Sequence, residues 1–100
     1  MATTTKALVR AAAGTSTATL YTVPASTTTV VTNIVVTNSA ATSATFTLTL
    51  NSVDIFTTSA IAANSTAMFD LKQVMATTQI IAGFASAVTV KFHISGVEIS

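Results

Sequence analysis

Residues 44–50 read ATFTLTL, and their alternation decides the fold class. Phe46, Leu48 and Leu50 fall on one side of an extended chain, and Thr45, Thr47 and Thr49 on the other. A period of two over seven residues predicts a half-buried β-strand, because successive side chains of a strand point to opposite faces. The same pattern returns at residues 87–94, AVTVKFHI, where Val88, Val90, Phe92 and Ile94 are expected inside and Thr89, Lys91 and His93 outside. Gly96 then breaks the phase, since Val97 and Ile99 fall opposite to Phe92; a glycine there predicts a bulge or bend.

Upstream lies LYTVPASTTTVVTNIVVTN, residues 20–38, which has no charged residue. Leu20–Val23 reads as a short strand closed by Pro24, whose missing N–H does not suit a central ladder. Beyond the turn, Val30, Ile34 and Val36 are expected on one face and Val31 and Val35 on the other. A strand apolar on both faces needs cover on both, from its own chain or from a partner. Short strands are expected at VDIF, AMFDL and TQIIAGF. A single helical turn competes at residues 68–76, where Met68, Leu71 and Met75 are spaced i, i+3, i+7. KALVRAAAG near the start reads as a strand or one helical turn. Thr, Val and Ile dominate throughout, and these β-branched residues favour pleated surfaces. About eight short strands separated by turn signals predict an all-β fold, an antiparallel β-sandwich of jelly-roll-like type.

The composition narrows the function. The chain has 100 residues, of which 50% are hydrophobic but only 7% charged, with a net charge of +1. Globular domains usually carry about a quarter charged residues. The surface must therefore be Thr, Ser, Ala and Asn, which protects a free monomer poorly against association. Burial of much of that surface in an assembly is the expectation. Lys6, Arg10, Lys72 and Lys91 form no basic cluster, so no nucleic-acid footprint is expected. No apolar run approaches the ~20 residues of a membrane-spanning helix, and MATTTKALVR lacks the apolar core of a signal peptide.

Groups able to do chemistry are scarce. His93 is the only histidine and there is no cysteine, so no zinc ligand set is expected. Asp54 and Asp70 would serve as an acid–base pair only at close quarters; as solubilising residues on strand edges they need no such meeting. The chain has three scattered glycines and no phosphate-binding loop. NST at Asn64–Thr66 is a glycosylation sequon that arises readily in a Thr-rich chain. The five phenylalanines read as core rather than as a stacking platform. Tyr21 is expected to tie its turn to a neighbouring strand through its hydroxyl. Neither an enzymatic activity nor a cofactor or metal is expected.

The stretches LYTVPA (Leu20–Ala25), Thr28–Asn38, ATFTLTLN (Ala44–Asn51) and the closing SGVEIS (Ser95–Ser100) resemble those of small tailed-bacteriophage virion proteins. The resemblance implies an all-β module attached to a head, neck, tail or fibre, with no catalytic residues. It points first to a capsid decoration (cement) protein on the outer surface of the head, with the major capsid protein as partner. A neck, tail or fibre component is the alternative, and a carbohydrate-binding module for host attachment a third. Residues 1–13 are expected to form an N-terminal arm and 14–100 the β-sandwich domain. Partner contacts are expected at Lys6, Leu8 and Arg10 on the arm and at Val31 and Val35 on the doubly apolar strand. The expected assembly is a homo-oligomer, a trimer in the first instance.

Overall fold

The computed structural model describes residues 3–100, and every regular element among them is a strand. The strands are β1 (Thr3–Ala12), β2 (Ala18–Thr22), β3 (Thr28–Asn38), β4 (Ala44–Leu50), β5 (Val53–Ile61), β6 (Ser65–Met75), β7 (Ile80–Ala85) and β8 (Val90–Ile99). The helical spacing of Met68, Leu71 and Met75 is overridden, since all three lie on β6. VDIF and AMFDL are parts of longer strands than expected, and only Ala62–Asn64 separates β5 from β6.

The strands form two four-stranded antiparallel sheets, ordered β1-β8-β3-β6 and β2-β7-β4-β5. Pairing is nested: β1 with β8, β2 with β7, β3 with β6 and β4 with β5. Two further ladders, β3 with β8 and β4 with β7, complete the sheets. The β4–β5 hairpin turns through Asn51 and Ser52, both with positive φ (52° and 64°). Two consecutive left-handed residues match the right-handed twist of the strands they join.

The inward faces share one hydrophobic cluster. Phe46 and Leu48 of β4 and Val90, Phe92 and Ile94 of β8 are at most 1% exposed, and Leu50 packs half-buried at the margin. Phe46 spans the two sheets, edge-on to Phe92 at 6.1 Å between ring centroids and tilted against Phe56 at 5.5 Å. Phe56 and Phe69, 4.5 Å apart, close the side where β5 meets β6. Such tilted pairs add about 0.5–1.5 kcal/mol each beyond the area they bury.

Three expectations are corrected, two by register and one by the place of a turn. The pairing of β3 with β8 runs Val31–Gly96 and then Asn33–Ser95, which leaves Thr32 as an extra residue. This bulge flips the face of everything before it. Val31 thus points inward with Ile34 and Val36, all fully buried, and Val30 points outward with Val35. The phase change at Gly96 is real, but the extra residues sit on its neighbours: Leu8 in β1 and Thr32 in β3, while β8 runs on. Gly96 is required because a Cβ there would strike the Val30 carbonyl oxygen and reach Leu8 Cδ1 at 3.0 Å. Val88 is not on the strand at all; it lies in the β7–β8 turn and is 63% exposed.

Residues 3–12 of the stretch read as an N-terminal arm are built into the first sheet. β1 pairs with β8 from Thr3–Ile99 to Ala12–Lys91, and the Ala13 N–H donates to the Val90 carbonyl at 2.8 Å. Met1 and Ala2, the start of that stretch, lie outside the described residues.

Candidate interaction surface

The antiparallel register places outward side chains in rows across the first sheet. One row runs Arg10–His93–Val35–Met68, over β1, β8, β3 and β6. The next runs Ala7–Ser95–Asn33–Asp70, and beyond the bulge Thr5–Val97–Val30–Val74. Arg10, His93, Met68 and Val74 are exposed, and Val35 is partly covered by its neighbours. These rows thus set Arg10 and Asp70 among aliphatic and small polar side chains. Shallow grooves open on either side of the bulged Thr32, one toward Arg10 and one toward Asp70.

Of the five residues expected to meet a partner, the structure brings Arg10 and Val35 into one row. Lys6 stays exposed but is engaged within the chain, its Nζ 3.4 Å from Glu98 Oε2. Leu8 and Val31 are corrected: at 8% and 0% exposure they belong to the core and offer no surface. Leu8 turns inward as the extra residue of the β1 bulge, and Val31 turns inward because of the bulge at Thr32. The positions that sequence reading passed over are Val53, Met68 and Val74, which are 68%, 77% and 70% exposed. Their signal was ambiguous: Met68 matched a helical stripe, and only strand geometry turns it out to solvent.

The polar groups with candidate chemistry are dispersed. His93 faces outward and is exposed. Asp54 accepts from Thr57 Oγ1 at 2.9 Å on β5, while Asp70 lies on β6 in the other sheet. No three of His, Cys, Asp or Glu come together to hold a metal ion among the described residues. One polar cluster does bridge the sheets. Tyr21 on β2 donates its hydroxyl proton to Glu98 on β8 and meets Thr29 Oγ1 on β3 at 2.9 Å. Burial, helped by the Glu98 carboxylate, pushes the Tyr21 pKa up to about 12. That hydroxyl is protonated at neutral pH and ties the two sheets together, a wider role than the turn-to-strand tie expected from its position.

No family model, curated protein or solved structure matches the chain.

Proposed function

We propose that this chain is a structural protein of a tailed-phage virion, most simply a decoration protein on the outer surface of the capsid, with the major capsid protein as its partner and homo-oligomeric, first of all trimeric, assembly. The observation that carries the reading is the surface. Three large apolar side chains, Val53, Met68 and Val74, stand exposed on adjacent edge strands of a chain that has seven charged residues in all. A surface of that kind suits a protein held among many neighbours, whose contacts cover apolar patches and strand edges. The resemblance of Leu20–Asn38 and Ser95–Ser100 to small virion proteins supports it.

The connectivity is consistent with this role. Nested pairing of β1–β8, β2–β7, β3–β6 and β4–β5 is what a long antiparallel ribbon gives when it is rolled over on itself. We read it as a jelly-roll sandwich, an architecture that serves viral capsid domains and lectins alike.

Quantitative protein analysis of purified virions tests the proposal. Hundreds of copies per particle are expected for a protein of the head lattice. A handful of copies would move it to the neck or tail, and absence from the particle would overturn the reading.

A further inference from the structure

Five of the seven charged residues lie at two opposite sides of the molecule, with Lys91 and Glu98 between them on β8. β1 and β2 begin the two sheets and pack on one another, while β5 and β6 end them and meet through Phe56 and Phe69. The β1 side carries Lys6 and Arg10, and the β5–β6 side carries Asp54 and Asp70 with Lys72. Lys6 is matched by Glu98 in the only salt bridge among the described residues. Arg10 has no such partner among the described residues. The two sides also differ in shape. The β1 side presents exposed Ala7, Ala11 and Ala12, and the other side presents Val53, Met68 and Val74.

We infer that the β1 side of one copy docks against the β5–β6 side of a second copy, head to tail, with Arg10 of one beside Met68 and Asp70 of the next. Height along the strands supports the match. Arg10 and Met68 belong to one cross-sheet row, and Asp70 lies in the row next to it, level with Ala7. Rotation about an axis parallel to the strands preserves height. It therefore sets Met68 against the Arg10 level and Asp70 against small Ala7, within reach of the Arg10 guanidinium. Opposite charge fixes the register of such a contact and the exposed aliphatic side chains fill it.

The contact is made by side chains rather than by extending the ladder. β1 carries the extra residue Leu8, and β6 is bulged between Asp70 and Gln73. Bulges of this kind discourage open-ended pairing of edges. A heterologous contact closes into a ring when its rotation divides a full turn, and otherwise grows into a filament. The inference deepens the self-association in the proposed function, but the free protein alone tests it.

Sedimentation velocity on purified chain, with circular dichroism to verify folding, is the experiment. The wild type is expected to sediment as a closed species, three times the 10.2 kDa of one chain for a trimer. Arg10→Asp and Asp70→Arg should each dissociate it to monomer at the same concentration, and the Arg10→Asp/Asp70→Arg double variant should reassemble. Met68→Ser should weaken assembly without touching charge. A monomeric wild type, single variants that stay assembled, or a double variant that stays apart would each overturn the inference. Assembly without incorporation into virions would leave it standing and remove the proposed function instead.

Discussion

Tyr21 and Glu98, separated by 77 positions in sequence, share a hydrogen bond that joins the two sheets. The Tyr21 proton goes to the carboxylate, so Thr29 Oγ1, at 2.9 Å, donates in return to the phenolic oxygen. Lys6 approaches the same carboxylate from β1. Four strands, β1, β2, β3 and β8, thus meet around one acid.

This cluster makes the alkaline limb of stability readable. Tyr21 is the only tyrosine, so ultraviolet titration of tyrosinate reports it alone. Its pKa rises from 10.0 to about 12, through burial first and the Glu98 hydrogen bond second. A raised folded-state pKa means that the stabilisation is fully present below pH 10.0 and is lost as pH climbs toward about 12. Glu98→Gln should lower the midpoint part of the way, because burial persists. A wild-type midpoint at the free-tyrosine value would contradict the bridging geometry.

Leu48 tests the core. It is fully buried on β4 beneath Gly83 and shares the cluster with Phe46. Leu48→Ala removes buried methyl groups and leaves a cavity, which costs about 2–5 kcal/mol. Urea unfolding should show a lower midpoint with an unchanged slope. A loss under about 1 kcal/mol would show that the site collapses to fill the void.

Gly83 and Gly96 are fixed by close approach rather than by unusual dihedral angles, since neither has a positive φ. A Cβ at Gly83 would sit 2.6 Å from Leu48 Cδ2 and 2.7 Å from the Thr47 carbonyl oxygen. At Gly96 it would strike the Val30 carbonyl oxygen, which a ladder strand cannot withdraw. Overpacking of this order costs roughly 1–3 kcal/mol. Backbone oxygen blocks both positions, but Gly96→Ala should be the worse of the two: its nearest clash is the Val30 carbonyl oxygen, whereas the nearest atom at Gly83 belongs to the Leu48 side chain, which has rotamers to change. Gly14, with nothing nearer than 3.7 Å to its Cβ position, is the control: Gly14→Ala should leave the unfolding midpoint nearly unchanged.

Which parts were legible follows from the same register. Phe46, Leu48, Phe92 and Ile94 could be placed from sequence because the strands β4 and β8 alternate without interruption around them. Val31 could not. The extra residue at Thr32 that reverses its face looks like every other threonine in the run, and only the partner strand shows it as a bulge. Val88 was misplaced because a turn can extend an alternating pattern by chance. The Tyr21–Glu98 tie depends on which strands become neighbours across the sheets, and no local pattern encodes that. Exposure of Met68 and Val74 was hidden for a related reason: apolar residues on the outer face of an edge strand read as core until the sheet order is known.

Asn38 gives the last test, at the end of the molecule away from Glu98. It is 2% exposed, at the end of β3, and it uses its whole amide. Nδ2 donates to the carbonyls of Thr42 and Ala62 at 2.9 and 3.4 Å. Oδ1 accepts from the Ala40 N–H and from Thr89 Oγ1, both at 3.1 Å. One side chain therefore binds the β3–β4, β5–β6 and β7–β8 turns together. A net hydrogen bond contributes about 0.5–1.5 kcal/mol, and a buried polar group stripped of its partner costs about 1–3 kcal/mol. Asn38→Leu, which keeps the number and branching of the side-chain heavy atoms, should thus destabilise by roughly 2–4 kcal/mol. Thr89→Val removes one bond of the four and should cost about 1 kcal/mol. Hydrogen exchange should show Asn38→Leu loosening all three turns at once, with the ladder around Tyr21 still protected. Equal losses in the two variants, or loosening confined to the β3–β4 turn, would mean that Asn38 caps its own turn and does not join the other two.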